Sequence, residues 1–600
     1  MGSLALAFSA SAQHRKLSTE FDSLDQSSRI NVIVNWTKQP DTASETKVRA
    51  RGGQIRSRFA ALKAGVYELS VREIRQLAKD PEVRHIALDH LVLARLDNTA
   101  AAMNAAAAWN SGFAGSGVGV AVLDSGMNAT ADLPASRIVY TEDFVPSNAQ
   151  AGGQDLFGHG QHVAGIIGAS GAASTCGNCI RTFKGIAPAA NLINFRVLDG
   201  NGQGYDSDVI AALNKAIELK DTYNIRVINL SLGRPVYESY QDDPLCQAAE
   251  AAWKAGIVVV ASAGNDGRDN SAGTSGYGTI NAPGNDPYVI TVGAMRAMGT
   301  PDRSDDLMAS YSSKGPSVID HIIKPDVLAA GNQVVSLMAN GATLETLYGA
   351  TNSVSSSYYL TGLSSAQAHQ PSTNFFVLSG TSMATAAVSG AVADLIAAKP
   401  NLTPDQVKLL IMETAYKTFP QSSSVYDAAS GQTYTSFYDI FTVGAGYLDL
   451  GAALAAINGV PSTGTALSPS ASYHSSTGAV TVTFDPSSVF GNQGLWGQQG
   501  LWGAGSVWSN SVLTSCQGLW GAQGLWGQQG LWGQQGLWGQ QGLWGHQGLW
   551  GQQGLWGQQG LWGQQGLWGQ QGLWGQQGLW GQQGLWGQQG LWGASIQGDK

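Results

Sequence analysis

The sequence predicts an α/β protein whose main domain has a doubly wound, mostly parallel sheet, preceded by a small α+β unit and followed by a low-complexity repeat tail. Three observations predict this. Short β-branched runs alternate with helical stretches from about residue 117, a β-α-β-β-α-β order precedes them, and one hexapeptide recurs from residue 492. At 600 residues the chain is also too long for one ordinary domain.

The front of the chain divides into two predicted parts. Residues 1–12 are expected to be a truncated signal-like segment, because a short apolar run leads to the small-residue cleavage pattern Ala-Ser-Ala, although the usual basic region is missing. An N-terminus without fixed structure is the alternative. Residues 13–97 are predicted to form a ferredoxin-like domain, in which Ser70 and Glu73 make a capping box. Its expected strands are 30–36, 54–62, 66–69 and 83–88, and its expected helices are 42–51 and 70–79.

Residues 98–460 are predicted to be the main domain. Its short β-branched runs are typical of a parallel sheet covered on both faces, in which function gathers at the carboxyl ends of the strands. Thr403-Pro404 has the pattern of a helix start near the end of this domain. The expected strands are 118–123, 192–197, 227–230, 257–261 and 289–292, with helices at 206–220 and 246–255.

The last part of the chain is low in complexity. Residues 461–491 are predicted to be a linker or a small addition with one strand at 479–484, and residues 594–600 a short tail. Between them, residues 492–593 hold 17 hexads, of which 15 carry Gly-Leu-Trp-Gly and none carries a charge. An even period would place every Trp on one side of a β-strand.

We therefore expect a repeat tract that lacks fixed structure when dilute and that self-associates, or binds surfaces, through its Trp side chains. Stacking of carbohydrate on Trp is an alternative. A further alternative is a repeat expansion without a selected role, because low-complexity tracts often need no packed core.

Charge and composition exclude several classes of function. The net charge is −9 and no basic block occurs, which argues against nucleic acid as a partner. No apolar run reaches 18 residues, so no transmembrane helix is predicted. Residues 13–98 carry 15 Lys and Arg against 11 Asp and Glu, whereas the rest of the chain carries 18 against 31. This asymmetry favours docking of the first domain onto the main one.

Cysteine spacing and acidic loops are the sequence features that could indicate a bound metal ion. Cys176 and Cys179 form an isolated C-x-x-C, and without a second ligand pair nearby a small loop disulfide is favoured over a zinc site. Cys246 and Cys516 are candidates for free thiols. No metal ligand set is predicted. The acidic loops at 266–269 and 302–306 are compatible with binding of structural calcium, although solvated surface charge is the commoner explanation for such loops.

Two motifs of the main domain carry an acid and a base. Val-Ala-Val-Leu-Asp-Ser-Gly at 120–126 places Asp124 at the end of a buried strand, where it can orient a histidine. In Gly-His-Gly-Gln-His at 158–162, the glycines beside His159 allow other groups to approach closely. His162 is expected to be a core or supporting histidine, because the H-E-x-x-H spacing of a metal site is absent.

A third motif, Ser-Gly-Thr-Ser-Met-Ala at 379–384, places Ser382 at the start of a helix of small residues, whose N-terminus favours a developing negative charge. Alone, such a Ser is usually a helix cap, and an Asp after a strand usually begins a turn. Together the three motifs follow the order Asp, His, Ser, and the sequence resembles the subtilisin-like serine peptidases over about residues 110–455. The resemblance implies that Asp124, His159 and Ser382 form a catalytic triad.

Two further segments extend the resemblance. The stretch Val-Val-Val-Ala-Ser-Ala-Gly-Asn-Asp-Gly at 258–267 is similar to the one whose Asn donates to the oxyanion, which implies that role for Asn265. Asn-Leu-Ser-Leu-Gly at 229–233 resembles the substrate-binding strand, which pairs with an extended peptide. The implied walls of the specificity pocket are Ser231, Leu232 and Gly233 on one side and Ala263 and Gly264 on the other.

The sequence departs from the family pattern at a few positions. Ser125 and Gln161 each stand where Thr is usual, and Ala-Ala-Gly at 329–331 and Thr-Ala-Ala at 385–387 replace segments that usually contain Pro. None of these removes a group that transfers a proton or binds the oxyanion. The stretch 332–377 is longer than usual and is expected to shape the substrate cleft.

The resemblance implies a secreted serine endopeptidase that cleaves protein or peptide substrates through an acyl-enzyme and needs no cofactor for its chemistry. It also implies that residues 13–97 are an inhibitory prodomain, removed by self-cleavage between Leu96 and Asn110. The Ala-rich stretch 99–108 is expected to lie extended in the cleft. The alternatives are a non-catalytic scaffold, and a surface or structural protein whose Trp and Gly repeats mediate self-association or surface binding.

Overall fold

The computed structural model describes most of the first 489 residues and, beyond them, Asp599. The signal-like segment, the repeat tract and residues 95–102 lie outside the described residues, and so do the predictions made for them. The residues not described are 1–15, 18–20, 22–24, 60–62, 89–90, 95–102, 146–151, 272, 299–302, 428–429, 475–478, 490–598 and 600.

Residues 29–88, called the N-terminal unit below, form a four-stranded antiparallel sheet with two helices. The strand order is β2-β3-β1-β4, which together with the order of elements along the chain is the ferredoxin-like arrangement. A further strand, β5, follows the unit. The bounds are β1 Arg29–Trp36, α1 Thr42–Arg49, β2 Gln54–Phe59, β3 Ala64–Ser70, α2 Val71–Leu77, β4 Val83–Leu88 and β5 Leu91–Ala94.

Local signals set the helices of this unit. Asp41 and Ser44 make a reciprocal capping box at the start of α1. At α2 only half of the predicted box forms, since the Ser70 side chain accepts from the Glu73 amide and no return bond from Glu73 is present among the described contacts. Alternation along β1 divides the sheet into two faces, and both are buried. Val32, Val34 and Trp36 pack under the helices, whereas Ile33 joins the core of the next domain.

The main domain is a three-layer α/β structure. Its principal sheet has the order β14-β13-β12-β10-β6-β8-β7, with β15 beside β13, and every pairing is parallel except that of β14. The elements are α3 Ala105–Asn110, β6 Gly119–Asp124, β7 Ile138–Asp143, α4 His159–Gly168, β8 Asn191–Arg196, β9 Gln203–Tyr205, α5 Asp206–Glu218, α6 Lys220–Tyr223, β10 Ile225–Leu230, β11 Leu232–Gly233, α7 Pro244–Lys254, β12 Val258–Ser262, β13 Ile290–Arg296, β14 Leu307–Met308, β15 Val327–Ala330, β16 Val334–Leu337, α8 Thr343–Asn352, β17 Ser353–Ser355, α9 Ser356–Tyr359, α10 Ser365–Ala368, β18 Pro371–Leu378, α11 Thr381–Ala398, α12 Pro404–Thr414, β19 Ser422–Asp427, β20 Gln432–Phe437, α13 Leu450–Ala456, β21 Ser470–His474 and β22 Ala479–Thr483.

Helix α11 runs through the middle of this domain and contacts β10, β12, β13 and β15 as well as α4. Its small side chains permit this close packing, and sixteen of its residues are buried. Among the described residues, α11 is the one helix long and apolar enough to cross a membrane, and 89% of its apolar window is buried inside the protein. Its composition therefore matches its place in the core.

Two expectations need correction or refinement. The Ala-rich stretch 99–108 is not extended throughout, because residues from 105 onward form α3, in agreement with the high helix propensity of Ala. Residues 461–489 are a packed addition rather than a bare linker. They contain the hairpin β21–β22, and Ser468 lies in a buried cluster in which its hydroxyl donates to Asp326 and accepts from Lys408.

Candidate active site

Asp124 and His159 meet at the carboxyl end of β6. Asp124 is the last residue of that strand, and His159 is the first residue of α4. The His159 Nδ1–H donates to Asp124 Oδ1 at 2.6 Å, and both side chains are buried. A carboxylate can only accept here, so His159 Nε2 is left as the basic nitrogen. That atom has no hydrogen-bond partner among the described residues.

Glycine permits the close approach of α4 to the loop after β6. A Cβ built on Gly160 would lie 2.2 Å from the Gly126 carbonyl oxygen, which is closer than any real contact. Gly126 itself has φ of 116°, a conformation that side chains disfavour. The two glycines recognised beside His159 and Asp124 in the sequence are thus needed to bring the base to the acid.

Asp155 fixes the start of α4, and its role was not predicted from the sequence. Its carboxylate accepts hydrogen bonds from the Ser125 hydroxyl at 2.8 Å and from three backbone amides of residues 157, 158 and 161. Ser125 in turn accepts from the Gly160 amide at 2.8 Å. Burial raises the pKa of the Asp155 carboxyl, and these donors oppose that rise. The sequence feature that could have indicated this role is an acidic residue four positions before the His that starts the helix.

Ser382 is the second residue of α11 and is buried beside the strand end of β10. Its hydroxyl donates to the Ser231 carbonyl oxygen at 3.1 Å, and the Ser231 hydroxyl donates to the Ser382 carbonyl oxygen at 2.8 Å. Asn229 Nδ2 donates to Ser231 Oγ at 2.9 Å. The nucleophile candidate and the predicted substrate-binding segment are therefore joined by direct hydrogen bonds.

Asn265 follows β12 and faces the start of α11. Its side-chain oxygen accepts from the Thr381 amide at 3.0 Å and from the Thr381 hydroxyl at 3.1 Å. This fixes the orientation of the amide and leaves Nδ2 buried without a partner among the described residues. Thr381 also receives a hydrogen bond from the Gly264 amide at 3.2 Å. Thr381 is a second positioning residue that the motif contained but the sequence did not reveal.

The two predicted pocket walls follow neighbouring parallel strands. Leu232 and Gly233 form β11 just after β10, and Ala263 and Gly264 follow β12. The Ser262 hydroxyl donates to the Leu232 carbonyl oxygen at 3.2 Å and ties the walls together. All of the predicted site residues thus lie at one end of the principal sheet.

Strand β5, which follows the N-terminal unit, lies in a three-stranded sheet between β11 and β9. Leu93 pairs with Gly233 on one side and with Gln203 on the other, and Ala94 pairs with Leu232. The backbone of the predicted substrate-binding segment is therefore already paired with this chain's own residues. Of the stretch 99–108 that was predicted to lie extended, residues 99–102 are outside the described residues and residues 105–108 belong to α3, whereas the strand that pairs with the predicted substrate-binding segment is 91–94.

The long stretch 332–377 lies against the loop that leads to His159. The amides of Thr343 and Leu344, at the start of α8, donate to the carbonyl oxygens of Leu156 and Phe157 at 3.0 and 2.9 Å. A cavity of about 570 Å³ lies between this stretch and the loop after β6, lined among others by Met127, Asn194 and Ala342.

The structure also describes His162, three of the four cysteines and most of the side chains that were considered as metal ligands. His162 is a core residue whose Nε2 faces the carbonyl oxygens of Val334 and Phe376, and burial lowers its pKa to about 3. Cys176 and Cys179 form a disulfide, and Cys246 is a buried free thiol, while Cys516 lies outside the described residues. In the described part of the chain, no group of three or more His, Cys, Asp or Glu side chains is arranged to hold a metal ion.

An acid, a histidine and a serine at one end of a parallel sheet, beside an unpaired amide donor, are the parts of a serine peptidase site. The chain belongs to the subtilase family, whose model matches residues 115–440. Accordingly it is a subtilisin-like serine endopeptidase with a subtilisin-like α/β fold.

Known relatives agree with this assignment. The chain is 33% identical to serine protease AprX of Bacillus subtilis (strain 168) over 396 residues, which are 65% of this chain and 82% of that protein. It is 31% identical to subtilisin E of the same strain over 385 residues, 64% of this chain and 82% of that protein. The structure of fervidolysin from Fervidobacterium pennivorans, a keratinolytic enzyme related to subtilisin, shares the fold with a TM-score of 0.52 and 21% identity. That match covers 75% of this chain and 64% of the fervidolysin chain.

The repeat region also matches a known pattern. Residues 539–598 match the collagen triple helix repeat. The hexad Gly-Leu-Trp-Gly-Gln-Gln consists of two triplets that each begin with Gly, which is the spacing of Gly in collagen. The prediction from the sequence considered only the period of six and therefore did not find this period of three. The tract contains no Pro, whereas collagen sequences are rich in Pro at the other two positions. The match therefore rests on Gly spacing.

Proposed function

We propose that this chain is made as a secreted precursor and that its peptidase activity uses Asp124, His159 and Ser382 as the triad. The observation that carries the proposal is that His159 Nε2 and Asn265 Nδ2 are buried without partners among the described residues, beside the start of α11. A buried polar atom without a partner is costly, so two such atoms at one place favour a site that completes its hydrogen bonds with substrate.

The chemistry follows from these atoms. His159 Nε2 takes the proton of the Ser382 hydroxyl as Oγ attacks a peptide carbonyl carbon, while Asp124 keeps the ring in the tautomer with hydrogen on Nδ1. The oxyanion accepts from Asn265 Nδ2 and from the Ser382 amide at the start of α11. The imidazolium then gives its proton to the leaving amine. Water, deprotonated by the same nitrogen, releases the acyl group and restores Ser382.

The pairing of β5 supports a role for the N-terminal unit as a self-cleaved, inhibitory prosegment. An extended peptide held between two strands is the mode of binding by β-augmentation, and β5 occupies that position next to Gly233. Because α3 begins at residue 105, cleavage is proposed within residues 95–104. The Cys176–Cys179 disulfide supports secretion, since disulfides persist mainly in oxidising compartments.

A fluorophosphonate probe tests the assignment of the nucleophile. The purified enzyme should become labelled on Ser382, and Ser382→Ala should remain unlabelled and inactive on a generic peptide. Ser389→Ala is the matched control, because Ser389 is a buried serine of the same helix that donates to Asn229. Labelling of a different residue, or activity that survives in Ser382→Ala, would overturn the proposal.

A further inference from the structure

Asp599 lies beyond the repeat tract, yet it is buried against the peptidase domain with 2% of its surface exposed. Its side chain meets the guanidinium of Arg268 in an ion pair. The Ser310 amide and hydroxyl donate to the two carboxylate oxygens of Asp599 at 2.8 and 2.6 Å. The carboxylate is thus bound by one charged and two neutral donors.

The backbone of Asp599 is bound as well. The Asn332 side chain donates from Nδ2 to the Asp599 carbonyl oxygen at 3.0 Å and accepts from the Asp599 amide at Oδ1, at 2.9 Å. Gln333 Nε2 adds a longer bond of 3.4 Å to the same carbonyl. A side-chain amide that pairs with both polar groups of one residue holds a peptide regardless of its sequence, while Arg268 and Ser310 select for an acidic side chain.

The four residues Arg268, Ser310, Asn332 and Gln333, called the Asp599 receptor below, are set in rigid surroundings. The Arg268 guanidinium lies over the Tyr434 ring, 4.9 Å from its centroid, and the hydroxyl of Tyr311 donates to the Asn332 side chain at 3.4 Å. Ser310 and Asn332 are buried. A largely buried guanidinium needs a carboxylate nearby, and a second one, Asp427, lies at 3.7 Å. The receptor is therefore a formed site for an acidic peptide residue.

We propose that the Asp599 receptor is a binding site for an aspartate-containing peptide segment and that Asp599 of the same chain fills it.

A double-mutant cycle on the full chain tests the proposal, in a Ser382→Ala background that keeps the chain whole. Arg268→Gln and Asp599→Asn should each lower the Tm by about 2–4 °C, and the double variant should lower it no further than either single change. Arg303→Gln, which breaks the partly buried pair of Arg303 with Asp449, is the control and should be additive with Asp599→Asn. Should Arg268→Gln not fold, Ser310→Ala replaces it in the cycle.

Repeating the cycle at lower protein concentration distinguishes binding of Asp599 from the same chain from binding of Asp599 from a second copy. Non-additivity that persists unchanged over a hundredfold dilution supports filling by the same chain. Non-additivity that disappears on dilution would show that a second copy fills the receptor, and additivity at every concentration would show that Asp599 does not bind there. Either of these results overturns the proposal.

Discussion

The catalytic centre and the contact between the N-terminal unit and the peptidase domain are both buried, but they are stabilised differently. In the centre, hydrogen bonds converge on single residues, and Asp155 alone accepts from four donors. At the contact, apolar residues such as Ile33 and Val66 join the main core, and the polar bonds of the described residues are spread over different side chains, such as Asn35 with Gln247 at 3.0 Å and His85 with Glu238. We therefore expect the converging network to keep its geometry during turnover, and the contact to separate after the self-cleavage proposed above.

The oxyanion side of the centre should show the largest effect among positioning changes. Asn265→Ala removes the unpaired Nδ2 donor and is expected to lower kcat by about 10²–10³ with little change in KM. Thr381→Val keeps the donor but removes the hydroxyl that orients it, so its loss in kcat should be smaller. Steady-state kinetics on a peptide substrate measure both. A loss in Thr381→Val larger than that in Asn265→Ala would contradict the proposed division of roles.

Asp155→Asn tests whether the network positions the base. The amide cannot accept from both sides, so α4 should shift and kcat should fall by about 10². Asp132→Asn is the control, because Asp132 is a buried loop carboxylate that accepts from Ser170 and Ala173 away from the triad. It should lower the Tm without lowering kcat. Equal kinetic losses in the two variants would mean that general stability, rather than positioning, explains the effect.

Glu238→Gln weakens the contact between the N-terminal unit and the peptidase domain. Glu238 bonds to His85 of the N-terminal unit, and burial raises the pKa of its carboxyl. The variant should release its prosegment roughly tenfold faster while kcat of the mature enzyme stays unchanged. Glu250→Gln on α7, which pairs with Lys254, is the control and should release at the normal rate. Prosegment release can be followed as the lag before substrate cleavage. A changed kcat would show that contact and centre are not separable.

The smallest expected effect is a change in how the Tm depends on pH, and it comes from the Asp394 carboxyl of α11. Burial raises the pKa of Asp394 to about 8, above its ordinary 3.8. The folded protein therefore holds a proton there that the unfolded chain loses, and the associated stability is complete below about pH 4 and declines as pH rises to about 8. Asp394→Asn should flatten the fall of Tm between these values. Parallel curves for the two proteins would show that Asp394 is ionised in the fold.

Sequence patterns located the candidate site residues whose positions are marked by local backbone structure. Asp124, His159, Ser382 and Asn265 each lie at the end of a strand or the start of a helix, and short motifs report such positions. Asp155 and Thr381 escaped because their roles consist of contacts with residues distant in sequence or with backbone amides, which spacing does not encode. The strand 91–94 was not predicted for the same reason, since what makes it extended is pairing with Gly233 and Gln203.

The most direct test of the whole account is the intact mass of the purified protein, compared between the natural sequence and Ser382→Ala. The account predicts that the natural sequence loses its N-terminal unit by cleavage within residues 95–104, and that purified Ser382→Ala keeps it indefinitely. Maturation of isolated Ser382→Ala at the same site, or a fully active enzyme that retains residues 29–88, would contradict it.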